Sequence, residues 1–134
     1  MLWKSIGKTP KIKERGFKRF LNSFKYSIEG LRYAYVNEQS LLIHVIIGTT
    51  VVALGIILKI ALMEWLFVLM CIGIIMATEL INTSIEATID LVSPEYNLLA
   101  KIAKDTASAA VFIFSLVAAT GGLLIFIPKL ISLL

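Results

Sequence analysis

Residues 65–90 read WLFVLMCIGIIMATELINTSIEATID. The stretch opens as nearly continuous apolar sequence and closes on three carboxylates and an amide. Glu79, Asn82, Glu86 and Asp90 follow one another at spacings of three, four and four. In a helix those spacings put all four on one face. Spanning a membrane requires none of them, and a charged side chain at mid-membrane costs roughly 2.5–3.5 kcal/mol on insertion scales. Residues of this kind are usually paired, turned toward protein or water, and functional.

Working outward, Trp65 to about Ile85 is long enough to cross a bilayer, with Trp65 as an interface anchor. Leu41–Leu58 is a second apolar run, interrupted by His44, Gly48, Thr49 and Thr50. Its 18 residues rise about 27 Å, close to the hydrocarbon thickness. Ala107–Ile127 is a third, closed by Pro128 and Lys129. Ser93-Pro94 breaks the helix after the second span, and residues 95–105 form a partly helical connection. Ala118 and Gly122 are small residues suited to close helix packing.

Upstream the pattern changes. Phe17, Phe20, Leu21, Phe24, Ile28, Leu31 and Tyr35 recur at spacings of three and four, with basic and polar residues between them. This predicts an amphipathic helix over 16–36, lying in the membrane interface. Residues 1–15 are polar and basic and are expected to be mobile. The fold expected is therefore an all-α membrane protein in one domain over 1–134. An interfacial helix precedes three transmembrane helices at 41–58, 65–85 and 107–127.

Composition agrees. Hydrophobic residues make up 58% of the chain, above the roughly 45–50% of soluble domains counted with glycine. Nine of the thirteen Lys and Arg residues precede Val36, which reads as a cytoplasmic flank rather than a nucleic-acid surface. With the N-terminus inside, Lys101 and Lys104 also fall inside, and only Lys59 and Lys129 fall outside. The acidic face then ends on the cytoplasmic side, where nucleotide is available. Residues 1–13 lack the apolar core of a secretory signal. Cys71, the single cysteine, excludes a disulfide framework or a cysteine metal centre within one chain.

The acids expected at this interface are Glu38, Glu79, Glu86, Asp90, Glu95 and Asp105. Oxygen ligands with a single histidine favour Mg²⁺ over zinc or copper. Lys104, beside Asp105, can balance charge or hold phosphate. Together the groups suit a Mg²⁺–nucleotide site against a membrane, the alternative being an ion-pair network that ties helices together. Gly7-Lys8-Thr9 imitates the end of a phosphate-binding loop, but Leu2 stands where that loop needs glycine. Asn82-Thr83-Ser84 matches a glycosylation triplet inside a membrane helix. His44 is expected to bond a neighbour rather than catalyse.

The run Glu79–Asp90 fits the pattern E-x-x-N-[ST]-[AS]-I-E-x-x-x-D. Ala103-Lys104-Asp105 with Ser108-Ala109-Ala110 fits a second, and Gly30-Leu31-Arg32 with Asn37-Glu38 a third. From about Phe17 to Ile127 the chain resembles the small bacterial membrane lipid kinases that include diacylglycerol kinase and undecaprenol kinase. The resemblance implies Mg²⁺-dependent transfer of phosphate from ATP to a lipid alcohol, in a homotrimer whose subunits share active sites. Carried onto this sequence, it makes Glu79 the general base and has Asn82 orient the reacting groups. It gives Mg²⁺ to Glu38 and Glu86, phosphate to Lys104, and the surroundings of the nucleotide to Arg19, Tyr26, Ser27 and Asp105. It leaves Asp90 within the signature.

Ser93-Pro94-Glu95-Tyr96 and Ala100–Asp105 look more like the undecaprenol branch, although Asn97 stands where that branch is expected to carry histidine. Position 44, here His, is expected to be acidic in the diacylglycerol branch. Undecaprenol is thus the expected substrate and diacylglycerol the runner-up. Two other classes are a small transporter with Glu79 as its coupling site and a non-catalytic membrane subunit. Glu38, Glu86 and Lys104-Asp105 together are surplus to a transporter, and a non-catalytic subunit predicts that a folded Glu86→Ala changes no activity of its own.

Overall fold

A computed structural model describes residues 16–133 apart from the side chain of Lys18. The expectation of a mobile tail over 1–15, and the Gly7-Lys8-Thr9 imitation, lie outside the described residues. Four helices follow in order: α1 (Phe17–Asn37), α2 (Gln39–Ile57), α3 (Leu62–Val92) and α4 (Leu98–Ile131). The chain divides into two compact units at Arg32/Tyr33. The first is the leading part of α1. There Phe20 packs edge-on against Phe24 with ring centroids 5.0 Å apart, and Lys25 pairs with Glu29 across one turn.

The second unit carries the membrane-crossing elements. Helices α2, α3 and α4 are each long and apolar enough to span a bilayer. Only 11%, 11% and 6% of their most apolar windows are buried within the protein, so most of the apolar surface faces outward. In water that much exposed hydrocarbon would drive association. In lipid it is the matching solvent, and a helix is the form that satisfies its own backbone there.

Helix α3 packs against both α2 and α4. The α2–α3 turn is a Schellman closure. Lys59 takes the left-handed conformation at φ 50°, its N–H donates to the Ile56 carbonyl at 3.3 Å, and the Ile60 N–H donates to the Gly55 carbonyl at 3.1 Å. Helical carbonyls that would otherwise lack partners are thereby satisfied. The turn folds Ile60 inward, where it joins Val68 and Phe126 in the apolar core. A Cβ on Gly55 would lie 2.9 Å from the Trp65 ring, and one on Gly121 would clash with the Phe67 ring. These two glycines give the Trp65 and Phe67 rings of α3 room against α2 and α4. Gly122, expected to serve packing, has open space at its Cβ position.

The helices run longer than the expected spans. Helix α3 continues to Val92 and stops ahead of Ser93-Pro94, while α4 begins at Leu98 and takes in most of the expected connection. Asn97 starts it, its Oδ1 accepting from the backbone N–H groups of Leu99 (2.8 Å) and Ala100 (3.3 Å). That is an N-cap, which asparagine favours. At the far end Pro128 does not close the helix, which runs on to Ile131. A proline deletes one backbone donor, and within a membrane bundle that loss is tolerated. At about 1.5 Å per residue, α3 and α4 reach roughly 46 and 51 Å, beyond a hydrocarbon core of about 30 Å.

Glu64 stands at the polar end of α3, before the apolar stretch opens at Trp65. It accepts from the Ala61 N–H at 2.6 Å, and Lys129 of α4 lies 3.0 Å away. The Ala61 N–H first, and then Lys129, hold its carboxyl below the usual carboxylate value. A depressed folded value means the stabilisation is present above the ordinary value near 4.5 and is lost as pH falls through the folded one. In detergent, wild type should therefore melt above Glu64→Gln at neutral pH, and the gap should shrink as pH falls below the ordinary value of 4.5 and through the depressed folded one. A gap that ignores pH would assign the effect to packing. Gly121→Val should destabilise by about 1–3 kcal/mol through overpacking against Phe67, read from the same melts.

Candidate functional site

One residue separates the first two helices. Glu38 is extended (φ −107°, ψ 109°) between α1 and α2, and its side chain makes no capping hydrogen bond. The residue lines a cavity of about 390 Å³ with Ser40 and His44 of α2, Glu79, Asn82 and Glu86 of α3, and Ser108 and Ser115 of α4. Spacings of three and four along α3 are what bring Glu79, Asn82 and Glu86 to one wall.

Glu79 is the most enclosed of these groups, with 4% of its surface exposed. Ser40 Oγ donates to its Oε2 at 3.3 Å, and His44 Nε2 lies 3.1 Å from its Oε1. Both carboxylate oxygens are thus engaged by α2, which answers the cost of burying an acid. His44 was expected to bond a neighbour, and the structure puts its ring nitrogen beside the central acid of the motif. Asn82 Nδ2 donates to Glu86 Oε1 at 3.0 Å. This leaves Asn82 Oδ1 buried without a partner, and Ser115 Oγ shares that condition.

Three carboxylates face this cavity, with no lysine or arginine among the described residues that line it. The donor set is oxygen with one imidazole, as a hard cation prefers. No three acidic, histidine or cysteine groups among the described residues gather closely enough to hold a metal ion by themselves. Mg²⁺ commonly takes only one or two protein carboxylates and completes its shell with water and substrate phosphate. Any two of the three acidic residues lining the cavity would meet that smaller requirement.

The remaining sequence-derived residues lie elsewhere. Lys104 pairs with Asp90 across α3 and α4, and Asp105 pairs with Lys101 on α4. Neither Lys104 nor Asp105 lines the cavity. Arg19, Tyr26 and Ser27 belong to the first unit. Tyr26 is exposed there, Ser27 Oγ donates to the Ser23 carbonyl, and the Arg19 carbonyl accepts from Ser23 Oγ. Sequence reasoning passed over Ser40 and Ser115. The signals were the four-residue spacing Ser40–His44 and the seven-residue spacing Ser108–Ser115, each a polar stripe on an apolar helix.

The Asp90–Lys104 pair is largely solvated, the Asp90 side chain being 66% exposed. Asp90→Asn should therefore cost less than about 1 kcal/mol of stability in detergent melts. A loss of several kcal/mol would make the pair a structural tie between α3 and α4.

Comparison with known proteins gives a consistent answer. The family model for prokaryotic diacylglycerol kinase matches residues 25–126. The chain is 36% identical over 112 residues to an undecaprenol kinase of Bacillus subtilis, covering 84% of this chain and 91% of that one. It is 33% identical over 115 residues to a diacylglycerol kinase of Synechocystis, covering 85% and 66% respectively. It is 39% identical over 98 residues to a diacylglycerol kinase of Helicobacter pylori, covering 73% and 77%.

Proposed function

The chain belongs to the prokaryotic diacylglycerol kinase family, and on that premise we propose that it phosphorylates undecaprenol with ATP and Mg²⁺. It is a lipid kinase of a bacterial membrane, and ATP is its phosphate donor. The proposal adds the lipid, the metal, the roles of residues and the assembly. It takes 1–134 as one kinase domain with its N-terminus and site on the cytoplasmic side. The charge asymmetry of the sequence supports that orientation.

The observation that carries the residue roles is Glu79, held by Ser40 and His44 on one wall with Asn82 and Glu86 and facing the cavity that Glu38 enters. Phosphoryl transfer needs alignment and charge compensation more than covalent help. The lipid oxygen bonds to the γ-phosphorus, the bond from that phosphorus to the bridging oxygen breaks, and its electron pair leaves with ADP. The hydroxyl proton passes to Glu79. The Ser40 hydrogen bond and the His44 contact from α2 keep the carboxylate aimed, and its burial keeps water from competing as acceptor. Asn82 steadies Glu86 by the bond it donates. Glu38 and Glu86 would hold Mg²⁺, which when bound offsets the charge of the phosphates.

The nucleotide also needs cations, and the described lining of the cavity has no lysine or arginine. A homotrimer with shared sites answers this need, with Arg19, Tyr26, Ser27, Lys104 and Asp105 placed around ATP. Undecaprenol is preferred to diacylglycerol on the branch features of residues 93–105. The extent of the match to the Bacillus subtilis undecaprenol kinase supports that choice.

The test offers undecaprenol and diacylglycerol, separately and together, with labelled ATP and Mg²⁺ in mixed micelles. Undecaprenol should be labelled in preference, and the reverse preference would give the substrate to diacylglycerol. Glu79→Gln should lower kcat by about 100-fold or more, as loss of a general base does. Near wild-type turnover in that variant would remove Glu79 from the proton transfer. Glu86→Ala should abolish labelling at ordinary Mg²⁺.

A further inference from the structure

A second cavity, of about 580 Å³, lies between α2, α3 and α4 and reaches Phe126 and Leu130. Its walls are largely apolar, among them Val51, Val68, Ile75 and Ala119. His44 and Ser115 line both this cavity and the polar one, so these two residues stand at the seam between a carboxylate-lined space and a hydrocarbon-lined one.

His44 is already engaged with Glu79. Ser115 is not engaged: its Oγ is buried and has no hydrogen-bond partner. Several other hydroxyls on these helices are engaged. Thr49, Thr50, Ser84, Thr88 and Thr120 each donate to the carbonyl four residues earlier, the usual resting state of a hydroxyl in an apolar helix. A buried hydroxyl without that bond is an exception that calls for an explanation. At a junction of polar and apolar space, the ligand chemistry that fits is an alcohol on a hydrocarbon chain.

We propose that Ser115 is a specificity-determining contact for the acceptor lipid, donating a hydrogen bond to the alcohol oxygen while the lipid chain occupies the apolar cavity. This rests on the lipid kinase reading and adds to it the residue that holds the alcohol. The alcohol oxygen has two lone pairs. One accepts from Ser115 and the other remains for the γ-phosphorus. The alcohol's own hydrogen is left free for Glu79, which lines the same polar cavity. A site built to bond a hydroxyl discriminates by leaving its own polar group unpaired when that hydroxyl is missing.

The experiment compares wild type with Ser115→Ala, Ser115→Thr and Ser115→Val in mixed micelles, varying the lipid alcohol and ATP independently. Ser115→Ala should lower kcat/KM for the lipid about five- to tenfold while the KM for ATP stays within about twofold. Ser115→Thr keeps the hydroxyl and should restore kcat/KM to within about twofold, whereas Ser115→Val, of threonine's shape, should not. Thermal midpoints of all four proteins accompany the kinetics. Wild-type kcat/KM in Ser115→Ala, or equal losses in the Thr and Val variants, would overturn the proposal. An active wild type with an indifferent Ser115→Ala removes this inference alone. A folded wild type that labels neither lipid removes the substrate reading and the inference with it.

Discussion

An acid buried in an apolar bundle has to be satisfied from a neighbouring element, and Glu79 imposes that condition on this protein. A buried carboxylate needs polar partners, and none of those described comes from its own helix. Ser40 donates to it from α2 and His44 of the same helix lies against it. This makes the α2–α3 contact specific in register, since sliding either helix by a turn would strand the acid. Removing one member of such a buried group is costly because the other is left uncompensated. The same contact places the start of α2, and with it Glu38, against the wall that carries Asn82 and Glu86.

The rest of the bundle is held by means that work in lipid. Between helices in a bilayer there is little hydrophobic drive, so close packing and end contacts carry more of the association. Gly55 beneath Trp65 and Gly121 beneath Phe67 are the close approaches. Glu64 with Lys129 ties α3 to α4 at one end, while the solvated Asp90–Lys104 pair at the other adds little. The charged pairs lie near the ends of helices longer than the hydrocarbon, where water is at hand. Among the described residues, Glu79 is the acid that is buried in the bundle.

A lipid kinase must bring a water-soluble donor to an acceptor that lives in hydrocarbon. The two cavities express that division. One is lined by carboxylates, amide and hydroxyls, and the other mostly by aliphatic and aromatic side chains. They meet at His44 and Ser115, one fixing the acid and the other left with its hydroxyl unspent. The proposed chemistry uses this boundary, so that the lipid need not leave the membrane and the nucleotide need not enter it.

Hydrophobic run length and the spacing of one motif determined the helical class, the existence of three crossing elements and the shared face of Glu79, Asn82 and Glu86. These are local properties, set by backbone hydrogen bonding in lipid and by 3.6-residue periodicity. Helix ends were read less well. Pro128 is a stop signal, yet α4 passes it, because the loss of one backbone donor is tolerated in a membrane helix. Asn97, read as a departure from the undecaprenol branch, caps α4. Tertiary structure alone decided that His44 and Ser40 answer Glu79, that Lys104 turns to Asp90, and that Gly121 rather than Gly122 meets a neighbour. These pairings join residues from 14 to 54 positions apart. No periodicity along a single helix encodes which face of another it meets, since that follows from how the helices pack in three dimensions.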